Sequence, residues 1–117
     1  MMGSLRGVRV WVFPTPTDMR RSYDSLRALA IAGLGRDVVQ GDLVLFIGKH
    51  RHHAKVLFWD GTGLCLYAKR LEQGLFNAPW LAPSRQPWTL TPTELQLFLE
   101  GSRLVGLVPI SPPAFVR

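Results

Sequence analysis

The chain has 117 residues, 47% of them hydrophobic, with 14 Lys plus Arg against 8 Asp plus Glu and a formal net charge of +6. That is enough apolar material for one domain with its own core, and too little chain for several. A lone cysteine, Cys65, excludes an internal disulfide, and no apolar run is long enough to span a bilayer.

Val8 to Phe13 is β-branched and aromatic and stops at Pro14 and Pro16, which predicts a first strand and a rigid connector. Thr17 or Asp18 is then expected to cap a helix running to about Leu34, with Met19, Tyr23, Leu26, Ala30 and Gly33 on one face. That start places Arg20 and Arg21 in the first turn, where the helix dipole disfavours cations and a bound anion would reconcile them. Pairing of Arg20 with Asp24, and of Asp24 with Arg27, is the plainer alternative. Asp42 to Ile47 reads as a second strand, apolar on both faces and therefore central. Ala54 to Trp59 and Leu64 to Leu71 read as a third and a fourth. Asp60-Gly61-Thr62-Gly63 forms the turn between these last two.

Short links between three successive strands predict an antiparallel meander. Residues 72–88 read as irregular. Thr91-Pro92-Thr93-Glu94 then opens a second helix with a cap, a first-turn proline and a capping box, and Leu95, Phe98 and Leu99 form its apolar stripe up to Gly101. The expected class is α+β: an antiparallel sheet of about four strands with two helices. One compact domain covers 1–108, and an extended Pro-rich tail covers 109–117. Met1 to Arg6 lacks the long apolar stretch of a signal peptide, so the expectation is a cytoplasmic protein without a membrane partner.

Eleven of the 14 cations are Arg, the side chain suited to bidentate phosphate contact. Charge and arginine bias together point to a polyanionic partner, against the alternative of a basic but inert surface. The densest signal is Lys49-His50-Arg51-His52-His53-Ala54-Lys55, read as a strand-joining tip that projects into water. Lys49, Arg51 and Lys55 are the expected nucleic-acid contacts, supported by Arg20, Arg21, Lys69 and Arg70. This reading requires the cations to converge on one surface.

His50, His52 and His53 raise the alternatives of a metal site and of a charge that rises below about pH 6.5. A structural metal site needs a fuller ligand set than three histidines and one distant thiol, so none is assigned. Trp80 and Trp88 flank Arg85 in the irregular stretch and are candidate partner-binding residues. Packing over a sheet edge is the plainer account. No Walker loop, dinucleotide fingerprint, nucleophile elbow or zincin motif occurs, so no catalytic residue and no cofactor is assigned. The remaining enzymatic option, a metal-dependent nuclease, would have to draw its carboxylates from Asp18, Asp24, Asp37, Asp42 and Asp60.

Four segments taken together carry a resemblance. Gly7-Val8-Arg9-Val10-Trp11, the stretch from Thr17 through Asp18-Met19-Arg20-Arg21 to Leu26, the stretch from Val56 to Phe76, and Leu90 to Gly101 resemble the TnpB-type accessory protein. This protein is encoded by the second open reading frame of the insertion-sequence-sixty-six transposons. The resemblance spans residues 7–101. It implies a small bacterial accessory factor of transposition, encoded beside a separate transposase and lacking the strand-transfer site. It carries over no catalytic residue, although Asp18, Met19, Arg20, Asp60, Gly61, Gly63, Lys69 and Arg70 match its motifs. His52-His53 at the tip and the Pro-rich tail depart from it. The expected function is a non-enzymatic accessory factor that binds transposon-end DNA through a basic surface, with the transposase as a further partner. The alternative is an adaptor that docks on the transposase without touching DNA.

Overall fold

The structure, a computed structural model, describes residues 7–101, 104–105 and 108–109. Strand β1 (Val10–Val12) leads through a long connection into helix α1 (Tyr23–Leu34) and then into β2 (Leu43–Ile47), β3 (His53–Trp59) and β4 (Leu64–Arg70). A short strand β5 (Thr89–Leu90) precedes helix α2 (Pro92–Leu99), and a two-stranded ladder of β6 (Leu104–Val105) and β7 (Val108–Pro109) follows. Of the expected tail at 109–117, only Pro109 is described, and the rest lies outside the described residues. No described helix is long and apolar enough to cross a membrane.

The α+β class holds. The main sheet has five strands in the order β4-β3-β2-β1-β5. The four expected strands are all present, and β5 is the addition. The β2-β3-β4 meander is antiparallel, Val44 facing Leu57 and His53 facing Arg70. The sheet is nevertheless mixed, because β1 runs parallel to β2, Val10 facing Leu43. Parallel neighbours need a crossover, and α1 supplies it. All five residues of β2 are buried, as a central strand covered on both faces requires. One face packs Leu45, Ile47, Val56 and Phe58 against Phe76 and against Leu95 and Phe98 of α2. The other packs Val44, Phe46 and Leu57 against Phe13, Val38 and Leu26 and Ala30 of α1.

The predicted start of α1 is corrected. The helix begins at Tyr23, with Ser22 as its N-cap and Ser25 Oγ accepting the Ser22 N–H. Thr17 and Asp18 do not cap it. Thr17 forms an isolated parallel bridge to Gly48 and donates its N–H to the Ile47 carbonyl. Asp18 accepts the Arg20 N–H and closes a turn in which Arg21 N–H reaches the Asp18 carbonyl. Arg20 and Arg21 therefore precede the helix, and the anion site expected in its first turn has no basis there. Arg20 pairs with Asp18, and Arg27 with Asp37, in place of the expected pairs through Asp24. The start of α2, by contrast, matches the reading: Thr91 Oγ1 accepts the Glu94 N–H and the Glu94 carboxylate accepts the Thr91 N–H.

Candidate nucleic-acid interface

The link between β2 and β3 starts at Gly48, whose N–H donates to the His53 carbonyl at 3.0 Å. The Arg51 N–H donates back to the Gly48 carbonyl at 2.9 Å, closing a turn. Arg51 adopts a left-handed backbone, φ 64°, the sole described non-glycine residue that does. Such a conformation costs about 1–2 kcal/mol for a residue with a Cβ, so other contacts must hold it. They come from residues 71–76: Leu71 N–H donates to the His52 carbonyl and Phe76 N–H to the Arg51 carbonyl. Phe76 is itself buried and stacks on Phe98, ring centres 5.2 Å apart. The tip is thus moored to the core through a distant aromatic side chain.

That mooring revises the picture of a tip projecting into water. Lys49 and His50 are exposed, but Arg51, His52 and His53 are half-buried. Together with Thr17, Asp18 and Met19, these residues line a cavity of about 240 Å³. Gly48 is needed at its floor, because a Cβ there would lie 2.8 Å from Met19 Cγ. Arg51 Nε is buried with no hydrogen-bond partner among the described residues, a donor whose desolvation is uncompensated.

Other cations gather around this end of the sheet. Lys55 Nζ donates to the Arg21 carbonyl at 2.8 Å, bringing Arg21 beside β3. Arg70 stands opposite His53 in the ladder. Arg20 adjoins the cavity through Asp18, 2.7 Å from its guanidinium, and this contact holds the Asp18 carboxyl far below the usual carboxylate range. Arg20 is therefore matched by Asp18, and Arg70 by Glu72 at 3.1 Å, whereas Arg21, Lys49, Arg51 and Lys55 make no ion pair among the described residues. Lys69 does not join them. It lies on the opposite face of the sheet, where it lines a groove with Val56, Phe58, Tyr67 and the α2 residues Leu95 and Leu99.

The histidines form a row, with ring centres 6.2 Å apart between His50 and His52 and 4.9 Å between His52 and His53. Burial, then the charges of His52, Arg70 and Lys55, push His53 below its ordinary value. At His53 this disfavours the protonated form, against the alternative of a charge that rises below about pH 6.5. Among the described residues no group of three or more His, Cys, Asp or Glu side chains is arranged to hold a metal ion. Four of the five aspartates proposed for a nuclease are occupied separately. Asp18 binds Arg20, Asp37 binds Arg27, Asp42 accepts the Trp11 indole N–H, and Asp60 holds its own turn. Burial pushes the Cys65 thiol up, away from nucleophile chemistry.

Trp80 and Trp88 come together elsewhere, lining a cavity of about 410 Å³ with Pro83, Arg85, Pro87 and Gly33. Both also pack against the core, and the Trp88 carbonyl accepts the Val12 N–H, extending the edge of β1. The sequence did not reveal the role of Thr17–Met19 or of Phe76. Each acts on the tip across a separation that local pattern does not encode. The one available signal was Gly48, a glycine between a buried strand and a polar run, which marks close backbone approach.

A family described as "IS66 Orf2 like protein" matches residues 8–107. Two proteins of Sinorhizobium fredii, "Uncharacterized protein y4jC" and "Uncharacterized protein y4hO", are each 34% identical to the chain over 101 residues. The match covers 86% of this chain and 85% and 86% of theirs. No solved structure matches the chain significantly.

Proposed function

The chain belongs to the IS66 Orf2-like family, an accessory group of insertion-sequence transposition, and from that membership we propose that it is a non-enzymatic factor that binds DNA at the end of the sheet around the 48–53 tip. The observation that carries this reading is a set of cations outside any ion pair among the described residues, Arg21, Lys49, Arg51 and Lys55, brought from two distant segments to one end of the fold. Arg20 and Arg70 widen the basic surface, each moderated by a carboxylate. Phosphate contacts by such groups release counterions, so binding is largely electrostatic and orients the protein more than it selects sequence.

Titrating DNA affinity against salt tests this. Four phosphate contacts predict roughly a 100-fold loss between about 50 and 200 mM salt. Replacing Lys49 and Arg51 together by Ala lowers the logarithmic salt slope by about 2. A flat salt dependence, or no shift of element-end DNA, rejects the proposal.

A second reading has its own observation. The cavity between Trp80 and Trp88 combines two indoles, four prolines and Arg85, and tryptophan and arginine are residue types that concentrate binding energy at protein interfaces. In this reading the chain is an adaptor for the transposase. A pull-down with purified transposase after nuclease treatment separates the two: retention without nucleic acid favours the adaptor.

A further inference from the structure

We propose that the cavity at the tip receives one unpaired nucleotide, so that this face prefers single-stranded or frayed DNA over a closed duplex. The inference rests on the DNA reading above and narrows its ligand. Three observations carry it. The surface at the tip is concave, about 240 Å³ between residues 17–19 and 48–53, a space on the scale of one nucleotide. A duplex backbone passes over such a rim, whereas a base turned out of a strand enters it.

The second observation is Arg51. Its left-handed backbone is fixed by bonds to Gly48 and Phe76, and its Nε is buried without an acceptor. A phosphate entering the cavity that Arg51 lines meets a guanidinium of opposite charge. Backbone strain held in place from two sides is what a preorganised contact requires.

The third is the composition of the wall. His50, His52 and His53 form a row of inclined rings, and imidazole faces are platforms on which bases stack regardless of sequence. Asp18 on the same wall is held by Arg20 through both carboxylate oxygens, which mutes its repulsion of a phosphate. The cavity therefore has two phosphate-seeking groups, Lys49 and Arg51, beside flat imidazole rings, the requirements of a single nucleotide.

The test is fluorescence anisotropy at fixed salt with the full chain and three labelled probes of about a dozen nucleotides. These are a single strand, its duplex, and the same strand with abasic positions. We expect the single strand to bind about tenfold more tightly than the duplex and the abasic strand to lose most of that advantage. Arg51→Ala should weaken single-strand binding about tenfold and duplex binding less. His50→Ala, at an exposed position that leaves the fold intact, should reduce the single-strand preference about threefold. Equal or tighter duplex binding, or indifference to the missing bases, overturns this inference and leaves the DNA reading standing. Binding of neither form overturns both.

Discussion

Two turns join the three strands of the meander, and they are held in opposite ways. Asp60-Gly61-Thr62-Gly63 is self-sufficient: the Asp60 carboxylate accepts the Thr62 and Gly63 N–H groups and the Thr62 hydroxyl, and Gly61 takes the positive φ of 103°. Those hydrogen bonds, the Thr62 backbone first, lower the Asp60 carboxyl to about 2. Gly48 to His53 places an arginine where a glycine would be comfortable and draws its support from residues 17, 71 and 76. A connection with no task beyond reversing the chain closes on its own side chains. One that must present charged groups in a fixed pose borrows its rigidity from the core.

The contrast breaks most decisively at Phe76. Truncation to Ala removes a buried ring and the stacked partner of Phe98, and should cost about 3–5 kcal/mol in denaturant unfolding. It should also weaken DNA binding in the fraction that stays folded. Asp60→Ala should lower Tm by only a few degrees and leave DNA affinity unchanged. Equal losses in the two variants would erase the distinction.

Arg51→Gly sharpens the comparison with a smaller effect of opposite sign. It relieves the left-handed backbone and removes a buried unpartnered donor, so stability should rise by up to about 1 kcal/mol while DNA affinity falls. A variant that loses stability would show that the tip carries no strain.

The smallest effect is a pH slope. His53 is held below its ordinary value by burial and by neighbouring cations, so below about pH 6.5 the unfolded chain binds more protons than the folded one. Its contribution to stability is complete above that pH and declines as pH falls toward 5. His53→Gln should flatten the decline in pH-dependent melting curves; an unchanged slope would assign it to other groups.

What the sequence disclosed follows the same division. The start of α2 was legible because Thr91, Pro92 and Glu94 satisfy one another within four residues. The start of α1 was misplaced by four or five residues because Thr17 and Asp18 are equally competent caps, drawn away by Gly48 and Arg20. Apolar patterning marked β2 as central but carries no information on strand direction, so the parallel pairing of β1 was missed. The charge of the tip was plain in the residues 49–55. Its attachment to Phe76 and its cavity with Met19 were not, since neither partner is near in sequence.

β4 forms one outer border of the sheet, and among the described residues nothing pairs with its far side. A strand left open in this way is a template onto which another copy can add. Lys69 and Arg70 stand at its end, one directed to each side of the sheet, so an identical strand adding in parallel register meets like charge on both faces. Charge at an exposed edge of this kind opposes aggregation by strand addition, independent of any ligand.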